Sequence, residues 1–597
     1  MTSSKSAGQP KISRRMSLQL GAAATAAGLI ANENFTAPAI AGDPPRGPAT
    51  PAFMDELPVY KAKEPVGSLN PESTEMPNVS GGECGRDAHQ RRNDWPAQKF
   101  YTLKTEVGLH SFHKYLAKQE IWGYDGILPG PTFVARYGEP IIVRNYNNLP
   151  LNSFGFGSPE ISTHLHNLHC ASESDGYAGD WYSVNPDPLK SIGPTLSAKG
   201  SYKDHHYPNC YAGYDAYGAT DGDPREALGT LWYHDHRQFY TAANCYRGLT
   251  GFYLLFDHID SGNELDPTPG ALRLPSGVGK YDIPLGIQDI ALDASGQLFF
   301  DQFDNKGFLG NKFCVNGKIQ PYFKVERRKY RFRLLNSSLA RFYEFYLTDK
   351  TGVNKNFTYI SNDGNLLPAP LTMGKIQIAP SQRADIVIDF ADYPPETELF
   401  LVNRLIQTDG RGPEGPETNI RNVNGMLTNA GTRILRFNVG GDAPWVTGLD
   451  GRLTRDPSQV PPMLRALPDI VIGEVAARRS FEFDKVNEVW TVNGKIFDVN
   501  TPVVKPKRGT AEIWTLKGKG SWHHPVHIHM EEFRILTRNG VKPPEHELGR
   551  KDTVVLAPGE EVRIFIRFRD FLGKYMMHCH NLTHEDHEMM IRFDVVA

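Results

Sequence analysis

Ala384-Asp385-Ile386-Val387-Ile388-Asp389-Phe390 sets β-branched apolar residues between charged ones, and Pro140-Ile141-Ile142-Val143-Arg144-Asn145 carries a continuous run of the same kind. Both read as strands, because β-branched side chains pack well on a pleated, half-buried surface and lose rotamer freedom in a helix. Similar short runs recur along the chain between Gly, Pro, Asn and Asp. Long amphipathic helical periodicity is scarce, while 56 Gly and 44 Pro supply turns throughout. The pattern predicts an all-β protein built of sandwiches or barrels. At 597 residues the chain exceeds a single core, and three such units fit its length.

Two stretches mix Gly, Pro and charge without periodicity, Asp260 to Pro275 and Gly440 to Pro468. They divide the chain into a first unit over 42–262, a second over 275–440, a linker over 441–468 and a third over 469–597. Tyr177 to Gly229, rich in Tyr, Gly, Asp and Pro, is expected to be an irregular functional loop inserted in the first unit. At the front, Ser13-Arg14-Arg15-Met16-Ser17-Leu18 precedes a weakly apolar, Ala- and Gly-rich run ending near Ala41. Residues 1–41 thus resemble a twin-arginine export signal, which predicts passage through that machinery to the periplasm or the extracellular space. No stretch offers the roughly 18 uncharged apolar residues of a membrane helix. The formal net charge of −3, from 65 Lys+Arg and 68 Asp+Glu, leaves no basic excess for nucleic acid. A monomer is expected.

The histidines carry the chemistry. Twenty of them scattered at random over 597 residues would give fewer than one His-x-His pair, yet four occur. They are His164-Leu165-His166, His234-Asp235-His236, His527-Ile528-His529 and His578-Cys579-His580. Alternate residues of a strand leave the same face about 7 Å apart, so each pair can grip metal. No histidine lies between His258 and His523. The middle unit therefore offers no imidazole site, and a shared cluster must form between the first and last units.

Cys579, His584 and Met589 form Cys-x4-His-x4-Met, and His524 completes a trigonal His2Cys set with a weak axial thioether. This is a blue-copper ligand set. A structural zinc would want more thiolates, and a catalytic zinc has no use for Met589 at that offset, although a lone methionine also suits core filling. In an extended strand Cys579 points away from the face shared by His578 and His580, so one strand touches two metal sites. His524, at an odd offset from His527, likewise leaves by the face opposite to His527 and His529. Eight paired imidazoles then remain. A binuclear pair taking three each leaves two for a third ion with open positions.

These motifs resemble the multicopper oxidases, in the branch of bilirubin oxidase and the bacterial spore-coat laccases. The resemblance covers nearly the whole mature chain. It runs through Ile121-Trp122-Gly123-Tyr124, Pro129-Gly130-Pro131-Thr132, His164 to Tyr177, Leu231 to Arg237, Trp522 to His529 and His578 to Met590. It implies three cupredoxin-like Greek-key domains and four copper ions, with the type 1 copper in the third domain and none in the second. By motif position, His164 and His527 would hold the type 2 copper. His166, His234, His236, His529, His578 and His580 would hold the type 3 pair. The reductant would be oxidised at an exposed edge of His524, beside Trp522, a position that a partly buried hydrophobe also explains. Asp175 and Glu585 match carboxylates that relay protons in similar enzymes, or anchor ligand histidines.

The implied partners are dioxygen and a small reductant: a phenol, an aminophenol or a bilirubin-like compound, or in the alternative a metal ion such as Mn(II) or Cu(I). A copper-binding or resistance protein of the same fold would show ligand loss or a Met-rich segment, and a non-catalytic scaffold would have lost ligands; the 12 Met are scattered and every ligand is present. His169, His523 and His587 fall outside the ligand pattern. Cys84, Cys170, Cys210, Cys245 and Cys314 are odd in number, so at least one thiol stays unpaired.

Overall fold

A computed structural model describes residues 44–59, 61–151, 155–184 and 198–597. The expected export signal lies outside these residues, as does part of the expected insertion. Strands dominate, and each long sheet draws on one stretch of chain only.

The first stretch forms two four-stranded sheets. One orders β2 (Gln119–Tyr124), β1 (Lys99–His110), β4 (Ile141–Asn147) and β6 (Tyr202–Tyr207); the other orders β3 (Gly130–Arg136), β8 (Thr250–Phe256), β7 (Thr230–Asp235) and β5 (Thr163–His166). Period-two alternation is visible in β1, which buries Tyr101, Leu103 and Thr105 and turns Thr102 and Lys104 outward. The second stretch gives an eight-stranded and a six-stranded sheet packed over one core that includes Ile283, Phe332, Phe345, Ile386 and Phe437. The third repeats the two-sheet plan with six and four strands, the smaller ordered Thr553–Leu556, His524–Ile528, Gly573–Cys579 and Met590–Val595. Burying each large apolar side chain in these cores contributes about 1.5–3 kcal/mol. The all-β, cupredoxin-like expectation is met.

Two expectations need correcting. The stretch 177–229 is not an irregular surface loop throughout: Tyr202–Tyr207 is a fully buried strand, and Tyr177, Trp181 and Tyr182 lie in the interior. The sequence YKDHHY hides this strand because its buried residues are polar and find partners: Asp204 accepts from Arg144 Nε (2.7 Å) and Nη2 (2.8 Å), and His206 Nε2 donates to the Trp95 carbonyl. The proposed linker over 441–468 is ordered and packed: Val446–Thr447 pairs with Leu453–Thr454, Leu464 joins the middle core, and Arg465 bonds Asp257 of the first stretch (2.9 Å). The deciding strand itself, now Arg383–Asp389, buries its first charged position. Asp385 accepts from Arg331 on the neighbouring strand (2.5 Å) and from Thr230 of the first stretch (2.8 Å).

Candidate metal centre

Two antiparallel ladders set the imidazoles. His164 on β5 faces His234 on β7, and His527 on strand His524–Ile528 faces His578 on strand Gly573–Cys579. His236, His529 and His580 follow just past their strands. One glycine makes the approach possible: Gly176 has φ +88°, and a Cβ there would meet the Thr163 carbonyl oxygen at 2.3 Å and His164 Cα at 2.6 Å. The one-turn helix Ser172–Asp175 is thereby laid against β5, and the Asp175 carbonyl accepts from His164 Nδ1.

The two ends of the chain interleave their rings. His164 stacks on His529 with centroids 3.8 Å apart and planes at 16°, and His166 stacks on His527 at 3.6 Å and 13°. Donor atoms gather within 4.8 Å of one another in three imidazole groups: His166, His234 and His580; His236, His529 and His578; His164, His166 and His527. The first two groups together contain the six imidazoles that motif position assigns to a type 3 pair, and the third brings in His164 and His527.

Hydrogen bonds on the outer nitrogens decide which nitrogens face inward. His529 Nδ1 donates to Asp175 Oδ2 (2.7 Å), His527 Nδ1 to the Asp552 carbonyl (3.0 Å), His234 Nδ1 to the Asp235 carbonyl (2.8 Å) and His166 Nε2 to Asp552 Oδ1 (3.1 Å). His578 Nδ1 lies 2.8 Å from Glu585 Oε2 and His236 Nδ1 lies 3.5 Å from Glu585 Oε1. The inner nitrogens then converge: His578 Nε2 is 3.2 Å from His236 Nε2 and 3.3 Å from His529 Nε2. His164 Nε2, His166 Nδ1, His234 Nε2, His527 Nε2 and both nitrogens of His580 are buried without a hydrogen-bond partner. Burial pushes His164, His166, His234, His529, His578 and His580 well below the usual imidazole range, and lowers His236 to about 4. Neutral rings aiming lone pairs at one another repel unless a cation lies between them, so this donor set fits a metal cluster.

The second site lies on the other face of the same strand. Cys579 Sγ is 3.5 Å from His524 Nδ1 and 3.5 Å from His584 Nδ1. His584 Nε2 donates to the Lys306 carbonyl of the middle unit (2.8 Å), which leaves Nδ1 as the lone pair facing sulfur. Burial pushes the Cys579 thiol up, so only a bound cation would hold it as thiolate at neutral pH. Met589 is buried, and its carbonyl accepts from Cys579 N (3.1 Å). His524 is 0% exposed, contrary to the expected open edge, because Trp490 and Phe483 pack around it. Trp522 is 8% exposed and meets His584 edge-on at 5.5 Å.

Asp175 and Glu585 thus both touch ligand rings. Burial, in each case the largest cause, raises both carboxyls above their ordinary range. Sequence reasoning missed Asp552, Arg383, Lys306 and Trp490, because their partners are remote in the chain and no spacing announces them. Asp552 touches His166 and accepts from Arg383 (2.5 and 3.1 Å), so one carboxylate joins all three units. The bystander histidines have structural partners: His169 Nε2 donates to Asp570 (2.8 Å), His523 Nδ1 to the Arg411 carbonyl (3.2 Å) and His587 Nδ1 to the Thr583 carbonyl (2.7 Å). All six cysteines are free.

A family model described as multicopper oxidase matches residues 474–597. The chain is 32% identical over 561 residues to the bilirubin oxidase of Albifimbria verrucaria, spanning 92% of this chain and 82% of that one. It is 31% identical over 546 residues to a laccase of Bacillus subtilis (strain 168), spanning 83% and 94% respectively. Among solved structures, the laccase from Pediococcus acidilactici matches in fold with a TM-score of 0.68 at 22% identity, over 93% of this chain and 96% of that one. McoA multicopper oxidase from Aquifex aeolicus gives a TM-score of 0.64 at 26% identity, over 84% and 97%.

Proposed function

The chain belongs to the multicopper oxidase family of copper oxidoreductases that use dioxygen, and we propose that it couples one-electron oxidation of small reductants at the His524, Cys579 and His584 site to four-electron reduction of dioxygen to water at the eight-imidazole cluster. One observation carries this reading. Cys579 turns its sulfur to His524 and His584, while its neighbours His578 and His580 reach into the imidazole groups. A single covalent segment therefore links the place where electrons enter to the place where they are used.

Four bound coppers would supply redox chemistry that no side chain here carries. His524, Cys579, His584 and Met589 would hold the type 1 ion, His164 and His527 the type 2 ion, and the other six imidazoles the type 3 pair. The chain's own residues orient and exclude: Nδ1–H partners fix His164, His234, His527 and His529, an Nε2 partner fixes His166, and complete burial keeps bulk water from the ligands. Of the three carboxyls against ligand rings, burial raises Asp175 and Glu585 while Arg383 keeps Asp552 ionised, so Asp175 and Glu585 hold and hand over the protons that water formation consumes.

The test uses the copper-loaded chain. Four coppers per chain, a blue thiolate absorption band and dioxygen uptake with a phenol are expected; a storage protein would bind copper without uptake, and a scaffold would show no blue band. Cys579→Ser should abolish the band and leave about three coppers. Asp175→Asn and Glu585→Gln should each slow reoxidation by dioxygen about 10²-fold or more while leaving anaerobic reduction of the blue band unchanged. Rates with a phenol, bilirubin and Mn(II) on one preparation then identify the preferred reductant.

A further inference from the structure

The His2Cys site has no open imidazole. His524 is wholly buried, and the outer nitrogen of His584 is taken by the Lys306 carbonyl at 2.8 Å, with the Asn581 amide 3.0 Å away. A reductant in solution must therefore reach the ligands through something else.

Trp490 lies against the same site. It is 1% exposed, its ring sits over His584 with centroids 3.7 Å apart at 30°, and its edge meets His524 at 5.8 Å. Its Nε1–H donates to the Asn305 carbonyl (2.6 Å), which fixes the ring. Trp522 abuts Trp490 edge-on at 4.8 Å and is the aromatic of this group that reaches solvent. The Lys485 ammonium stands 4.8 Å from the Trp490 ring and 5.2 Å from the Trp522 ring, and Arg411 stands 5.5 Å from Trp522. Cations over indole faces stabilise the electron-rich ring and disfavour its oxidation.

We propose that Trp490, with Trp522 at its outer edge, is the conduit by which electrons enter the His2Cys site through His584. This rests on the copper reading given above. A flat aromatic reductant packs on the exposed edge of Trp522 and gives up one electron. The electron crosses the two indoles to His584, where a bound copper would accept it, and a phenolic reductant releases its proton to solvent. Because Lys485 and Arg411 oppose a positive charge on either ring, the indoles serve as a bridge and are not themselves oxidised.

The test follows bleaching of the blue band by excess hydroquinone without oxygen, in copper-loaded wild type, Trp490→Phe and Trp490→Leu, with copper content and reduction potential measured for each. At unchanged potential, Trp490→Leu should slow bleaching about tenfold, equivalent to about 1.4 kcal/mol of barrier, and Trp490→Phe should restore part of the loss. A wild-type rate in copper-loaded Trp490→Leu overturns the proposal. Should Trp490→Leu fail to load copper, Trp490→Phe decides: a slower rate at unchanged potential supports the conduit, and a wild-type rate overturns it. A wild type without a blue band overturns the copper reading itself.

Discussion

Asp552→Asn removes one charge from the point where the three units meet and changes almost nothing in shape. The carboxylate is 0% exposed, accepts from Arg383 at 2.5 and 3.1 Å and from Thr553 Oγ1 at 2.7 Å, and anchors His166 at 3.1 Å. Burial opposes its ionisation, but Arg383 and His527 outweigh that and hold its carboxyl below the ordinary range, so it is charged at every working pH. Breaking a buried ion pair by removing one partner costs about 3–5 kcal/mol, because the other charge stays buried. The lower end applies here, since Arg383 still donates to the carbonyls of Thr230, Ser381 and Asp363. We expect apo Asp552→Asn to lose about 3 kcal/mol in denaturant unfolding. The loosened His166 should weaken copper retention against a chelator by about 10- to 100-fold. Adding Arg383→Met, which removes the stranded cation, should recover part of the stability and none of the copper retention. If the two substitutions add, or if Asp552→Asn melts and holds copper as wild type does, the assigned role of this carboxylate is wrong.

Two further outcomes follow from the geometry. Gly176→Ala places a Cβ against β5 backbone at a left-handed φ; neither side can yield cheaply, so we expect about 2 kcal/mol or more of lost stability and visible copper loss from the His164 side of the cluster, measured by melting and metal analysis. His169 joins the first unit to the third: burial works against its protonation, but Glu531 and Asp570 outweigh it and raise its pKa. The stabilisation from a raised imidazole is complete below about pH 6.5 and fades as pH rises through the folded value, so unfolding midpoints should fall as pH is raised from about 6.5. His169→Gln should flatten that slope, and an unchanged slope would assign it to other groups.

What could be read from the chain was what local alternation encodes. The His-x-His pairs and the turning of Cys579 and His524 to the opposite strand face follow from a period of two, whereas His584 is brought back to Cys579 by the short helix Leu582–Asp586. The strand Tyr202–Tyr207 escaped because apolar alternation is the usual signal of burial, and this strand is buried by polar pairing. His524 was expected to have an open edge, and it is closed by Trp490 and Phe483 of its own unit, whose approach no local pattern records. Asp552, Arg383 and Trp490 act across the fold, so their importance is a property of packing and not of spacing.

The interleaving of His164 with His529, and of His166 with His527, also sets an order of events during synthesis. The front imidazoles are made first and must wait through the entire central portion of the chain before their stacking partners leave the ribosome. A product truncated before strand Gly573–Cys579 carries at most six of the eight imidazoles and lacks Cys579. Completing the cluster is therefore a late event, since its last two imidazoles, His578 and His580, flank the thiol near the far end of the third unit.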